Sequence, residues 1–373
     1  MSLAAASTVR RIRRAKHAAI LGMGTASPPT LSQEQILQVH SALACETAAQ
    51  KAWLERVYLR CGIQRRGTVL ADVPALRAFY PTGATPGTAA RMERYATEAP
   101  ILGEQAAGGA LAEAQIPARS ITHLITVSCT GFFAPGLDAA LIGRLGLSRS
   151  VRRLHVGFMG CHGAFNALGV ARDAILADPK AKVLICSVEL CTLHLAYGWN
   201  ADKLVANAIF ADGASAAVLG RLSTHADIAG GEQWRLDDLS SVLLPDCTGA
   251  MTWTIGDHGF EMTLSPNVPA LIGGHLRPWC EAWLARHDLQ ISDIVGWAIH
   301  PGGPKVLTAI AEALGLEEPA LRFSRQILAE QGNMSSATVL FILQRMAGEI
   351  GGGPCVAIGL GPGLVAEGML LRR

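Results

Sequence analysis

Charge is scarce in this chain. Of its 373 residues 17% are charged and 50% are hydrophobic, and the formal net charge is +2. So weak a field offers no global argument for nucleic acid as a partner. The apolar balance implies a large buried core and further burial in an oligomer interface. Nine cysteines are present, but none forms a CxxC pair and none is spaced with histidine as a zinc site requires. A reduced, cytoplasmic protein with no bound metal is the expectation. Long apolar runs are missing too: nowhere do ~18 apolar residues follow one another, which argues against a transmembrane span. Arg10, Arg11, Arg13 and Arg14 precede an apolar run from His17 to Gly24 that is short for a signal sequence. That run reads as a first strand, and the arginines as a solvated arm.

What is present is alternation. Short apolar runs at His123–Ser128, Arg153–Phe158, Lys182–Ser187, Ala214–Gly220, Ile294–Ile299, Cys355–Leu360 and Val365–Leu371 read as buried strands. Helical patterns at Gly163–Ala177, Pro304–Leu314 and Ser335–Ile350 lie between them. Strands alternating with helices imply crossover connections and sheets covered on both faces. No long linker interrupts the chain. The stretch from Ser223 to Thr252 is the least periodic and reads as the seam between two halves, although no internal repeat is visible in the residues themselves.

Three segments carry chemistry. In Phe158-Met-Gly-Cys161-His-Gly-Ala-Phe a strand ends, Gly160 permits a tight turn, and Cys161 falls where a helix begins. The free N–H groups and positive dipole end of that helix would favour a thiolate. Taken alone, the segment reads more readily as a structural cysteine. His162 stands beside it, but neighbours at i and i+1 on a helix point apart. In Trp297-Ala-Ile-His300-Pro-Gly-Gly-Pro the histidine closes an apolar strand at the carboxyl edge of a sheet, where α/β folds bind ligands. In Glu330-Gln-Gly-Asn333-Met-Ser-Ser, Asn333 alone would pass for a helix cap. Together they supply more: a Cys/His pair makes a nucleophile, and His with Asn offers neutral donors to a thioester carbonyl.

His300-Pro-Gly-Gly-Pro, Gly332-Asn333-Met-Ser-Ser and Gly359-Leu-Gly-Pro-Gly-Leu jointly resemble the chalcone synthase-like, type III polyketide synthase family. The resemblance runs from Ile20-Leu-Gly-Met-Gly-Thr-Ala-Ser-Pro-Pro through Ile121-Thr-His-Leu-Ile and Leu145-Gly-Leu to the last strand. It implies an α/β, thiolase-like fold of two similar βαβαβαββ halves in five α-β-α-β-α layers. Here the halves would be residues 1–225, with the nucleophile, and 226–373, with the histidine and asparagine. It further implies a homodimeric acyltransferase that consumes malonyl-CoA and an acyl-CoA starter directly, with no cofactor and no acyl carrier protein.

By that resemblance Cys161 takes the starter acyl group, and His300 keeps its sulfur ionised. With Asn333, His300 also holds the malonyl thioester oxygen while decarboxylation makes an enolate. Loss of one such donor typically costs roughly 10²–10³ in rate. Phe210 matches the family's gate aromatic, and Met262 stands where a second gate aromatic is usual. Arg56, Arg60 and Lys305 take CoA-phosphate positions, with Trp53 in place of a further basic residue, and Ser335 faces the cavity.

The pocket departs from the plant chalcone pattern. Cys129, Cys191 and His194 replace threonines, Trp253 replaces a cavity-floor glycine, and Ala134 replaces a larger side chain that crosses from the partner subunit. These changes lead to the expectation of a medium or long fatty acyl starter and of alkylpyrone or alkylresorcinol products. The alternatives are a malonyl-primed or aromatic-primed synthase, for example a tetrahydroxynaphthalene-forming one, and an initiating β-ketoacyl-ACP synthase. The latter typically sets its histidine in His-Gln-Ala-Asn. A cysteine hydrolase and a non-catalytic acyl-CoA-binding scaffold complete the set.

Overall fold

The computed structural model describes residues 17–222 and 233–373. The arginines before His17 and the seam at residues 225 and 226 lie outside the described residues. The strands are β1 (Ala18–Ala26), β2 (Thr30–Ser32), β3 (Arg65–Gly67), β4 (His123–Ser128), β5 (Arg152–Gly157), β6 (Val183–Leu190) and β7 (Asp212–Arg221). They continue with β8 (Trp234–Leu243), β9 (Met251–Gly256), β10 (Gly259–Leu264), β11 (Gly296–Ile299), β12 (Pro354–Gly361) and β13 (Val365–Arg372). The helices are α1 (Gln33–Ala44), α2 (Ala48–Arg60), α3 (Val73–Phe79), α4 (Thr88–Ala114), α5 (Leu137–Leu145) and α6 (Gly163–Ala177). After them come α7 (Ala201–Ile209), α8 (Val268–Ala285), α9 (Pro304–Leu314), α10 (Arg322–Gln331) and α11 (Thr338–Ala347).

One nine-stranded sheet runs β11-β12-β13-β8-β1-β7-β6-β4-β5. Its two halves join where Ala18–Ile20 of β1 pair with Trp234–Leu236 of β8. Strand alternation sorts the side chains into layers. On β6, Val183 and Ile185 face α6 and α11, whereas Leu184, Cys186, Val188 and Leu190 face α4. On β12, Cys355 and Ala357 turn to the same middle layer, whereas Val356, Ile358 and Leu360 turn to α8 and α9. Helices therefore stand on both outer faces and between the half-sheets, which is the five-layered, thiolase-like arrangement. Every residue of β6 is buried, and each large aliphatic side chain so enclosed contributes about 1.5–3 kcal/mol.

Two expectations need correction. β5 is exposed along most of its length, with Leu154 at 43%, because it is the last strand of the sheet and has a neighbour on one side alone among the described residues. The supposedly aperiodic seam contains β8, a central strand whose Leu-Asp-Asp-Leu-Ser-Ser pattern hides its pairing with both β1 and β13. No helix of the described residues is long and apolar enough to cross a membrane.

Candidate active site

β5 ends at Gly157, and the next residues make the turn that presents the thiol. Phe158 adopts a left-handed φ of 60°, a conformation a bulky residue holds only when its surroundings insist. Gly160 (φ 83°) could carry no side chain, since a Cβ there would lie 2.1 Å from Pro362 Cδ. Cys161 follows, one residue before the helix cap His162, so it lies just outside α6 rather than in its first turn. It is 5% exposed. Burial pushes its thiol up to about 12, and the neighbouring Ser335 and Asn333 side chains only partly offset that.

His300 ends β11, which runs parallel to β12, and its own N–H donates to the Ile358 carbonyl at 2.8 Å. Burial, with the nearby His162, holds its imidazole down at about 3. Asn333 is pinned by its backbone: its N–H donates to the Ile209 carbonyl (3.0 Å) and its carbonyl accepts from Ala211 N–H (2.9 Å). That pairing sets Phe210 opposite Asn333. Asn333 Oδ1 accepts from Ser335 N–H at 2.8 Å, which orients the amide and leaves its Nδ2 to the pocket. Both ring nitrogens of His300 and Asn333 Nδ2 are buried with no protein hydrogen-bond partner.

Three adjoining cavities connect these residues to the surface. Cys161, His300, Asn333, Phe210 and Met262 line one small central space. Outward, across Ile209, Leu264, Gly302 and Val306, lies a cleft of ≈ 980 Å³ that brings together Arg56, Arg60, Lys305 and Trp53. All three cations are exposed, and among the described residues none has an acidic partner within ion-pair distance. α2 carries the arginines and Trp53 on one face, at spacings of three and four residues. Inward, past Phe210 and Met262, a space is bounded by Cys129, Cys191, His194, Trp253 and Ser335. Ala134 is exposed and lies outside these three cavities.

The β9–β10 hairpin walls the inner cavity. Trp253 and Met262 are paired across it, and the Trp253 indole N–H donates to the Cys129 carbonyl at 2.7 Å. His194 is a strut rather than an acid or base. Its Nε2 donates to the Thr130 carbonyl (2.6 Å), its Nδ1 accepts from Phe260 N–H (2.9 Å), and burial keeps it down at about 3. One buried group escaped the sequence reading. Glu189 accepts from Cys129 N–H (3.0 Å), the Thr130 hydroxyl (2.7 Å) and the Ser336 hydroxyl, and burial pushes it up to about 7. A lone carboxyl in the otherwise uncharged run Val183–Leu190 was the available signal.

A buried thiol, imidazole and carboxamide on a thiolase-like fold, approached through a cationic cleft, define an acyl-transferring enzyme. The chain belongs to the chalcone and stilbene synthase family: residues 6–222 match its N-terminal domain and residues 236–373 its C-terminal domain. It is 34% identical over 362 residues to a 1,3,6,8-tetrahydroxynaphthalene synthase of Streptomyces peucetius subsp. caesius, covering 95% of this chain and 92% of that one. It is 31% identical to the alpha-pyrone synthesis polyketide synthase-like Pks18 of Mycobacterium tuberculosis, covering 95% and 90%. The crystal structure of PKS-I from the brown alga Ectocarpus siliculosus superposes with a TM-score of 0.90 at 31% identity, covering 97% of this chain and all (100%) of that one. This chain is a type III polyketide synthase.

Proposed function

We propose that this synthase loads an aliphatic acyl group from CoA onto Cys161 and extends it with malonyl-CoA units to alkylpyrones or alkylresorcinols. The observation that carries the reading is the set of unpartnered atoms: two imidazole nitrogens and one amide nitrogen, buried beside the thiol. Orphaned donors and acceptors cost about 1–3 kcal/mol each, a cost that suits a site built to engage a substrate. The Cys161 proton passes to His300 as sulfur attacks the starter thioester, and CoA leaves with a proton. Malonyl-CoA then sets its thioester oxygen on Asn333 Nδ2 and His300. Loss of CO₂ leaves an enolate at that oxygen, whose carbon attacks the acyl-Cys161 carbonyl and expels the Cys161 thiolate, which takes a proton from solvent. Neutral donors serve best here because negative charge develops only during the step.

Arg56, Arg60 and Lys305 hold the CoA phosphates in the outer cleft, and Phe210 with Met262 divides the CoA side from the inner cavity. The inner lining of Cys129, Cys191, Ala206, Met251 and Met262 suits an alkyl chain. No acyl carrier protein is needed when CoA is held this way. The exposed edge strand β5, with Leu154, Phe132 and Met159 showing large apolar surface, is where a second copy pairs to form a homodimer. Nine unpaired cysteines suit a reducing, cytoplasmic setting.

A malonyl-primed reading is favoured by one feature: the Trp253–Cys129 latch closes the cavity floor and limits its depth. Mass spectrometry of the protein after incubation with palmitoyl-CoA separates the two. An acyl adduct on the Cys161 peptide, absent from Cys161→Ala, is expected. No adduct, with product formed from malonyl-CoA alone, selects malonyl priming.

A further inference from the structure

Behind the nucleophile lies a part-buried polar chain that the proposed chemistry leaves unused. His162 Nδ1 lies 3.0 Å from Asn166 Oδ1, so Nδ1 is the donor. Asn166 Nδ2 donates to Glu367 Oε1 at 3.1 Å, and Ser241 Oγ donates to the same oxygen at 2.8 Å. The chain therefore runs from the residue after Cys161, through the first turns of α6, to a carboxylate on β13. His162 is 2% exposed and Glu367 7%. The imidazole fills the space beside Gly361, where a Cβ would lie 2.2 Å from its Cδ2. Pro362, the next residue, seats against Gly160. The nucleophile turn of the N-terminal half is thus docked on the end of β12, the strand whose Ile358 carbonyl also fixes His300.

Resting on the proposed roles of Cys161 and His300, we propose that His162 is a positioning residue for that pair, setting the charge behind it through Asn166 and Glu367. The groups facing His162 are Asn166 on its own helix, Glu367 on β13 with Ser241 of β8 bonded behind it, and His300 across the pocket. Burial holds His162 below its usual range, while Asn166 and the Glu367 carboxylate push back upward. When His162 gains a proton its charge opposes a second proton on His300, which lowers His300 further. His300 then accepts the Cys161 proton less readily. Acyl loading should therefore fall as pH drops through the titration of His162, before His300 itself is protonated.

The experiment is single-turnover acylation of Cys161 by palmitoyl-CoA, or by malonyl-CoA if that is the starter, followed by mass spectrometry across pH. The wild type is compared with His162→Gln, His162→Phe and Glu367→Gln. Removing the charge, or the carboxylate that favours it, should move the acid limb to lower pH by about one unit, a tenfold gain on the falling limb. Profiles that superpose on the wild type, or rates that drop equally at every pH, would overturn the inference, since packing alone moves no titration. Should His162→Phe fail to fold, the two glutamine variants, which keep size and hydrogen bonding, decide. Acylation that persists in Cys161→Ala sinks the proposed function itself, a separate outcome from an unshifted limb.

Discussion

Arg56, Arg60 and Lys305 stand exposed in the outer cleft, whereas Cys161, His300 and Asn333 are each at most 5% exposed a short way inward. The first group lies open to water, where the proposed reading places the CoA phosphates. In the second, burial drives the thiol toward about 12 and the imidazole toward about 3, so both rest uncharged. Binding a polyanion and forming a carbanion need opposite surroundings. The fold separates them across Ile209, Leu264, Gly302 and Val306, and the neutral donors act where the effective dielectric is low. Strength of binding and rate of chemistry should therefore respond to different residues.

The sharpest break of that contrast is Cys161→Ala, which should reduce polyketide formation from radiolabelled malonyl-CoA to background. Asn333→Ala comes next, lowering kcat by about 10²–10³ with little change in KM, read from steady-state kinetics. A rise in KM alone would place Asn333 with the binding residues. Paired Arg56→Ala and Arg60→Ala substitutions should raise KM for CoA thioesters by roughly tenfold at low salt, leave kcat near wild type, and lose that effect as salt is added. The smallest effect concerns stability. Glu189 sits at about 7 in the folded chain against an ordinary 4.5. The folded state thus holds its proton more tightly, and that stabilisation is complete below the lower value and lost as pH rises to the higher one. Melting temperatures of Glu189→Gln should gain on the wild type between pH 5 and pH 8, within about a few degrees. A constant difference would contradict the assignment.

Much of this was legible in the residues. α6 and α9 begin and end where the periodicity of Gly163–Ala177 and Pro304–Leu314 indicates. The helix expected at Ser335–Ile350 is shorter, because a 3-10 turn with Ser335 at φ 48° precedes α11. The assembly of Cys161, His300 and Asn333 rested on motif resemblance, since spacing along the chain does not show that β5 and β11 deliver their ends to one cavity. Electrostatics was least legible. The helix end beside Cys161 favours an anion, and the depth of burial that opposes it is not visible in the residues. Glu189 and the His162–Asn166–Glu367 chain stayed hidden for a related reason: a polar residue in an apolar run declares burial but not its partners.

The most direct test of the separation is product analysis with radiolabelled malonyl-CoA and a panel of acyl-CoA starters, run beside Cys161→Ala. Cys161-dependent alkylpyrones or alkylresorcinols from fatty starters are expected. No Cys161-dependent condensation product from any starter, malonyl-CoA alone included, would contradict the chemistry assigned to the pocket.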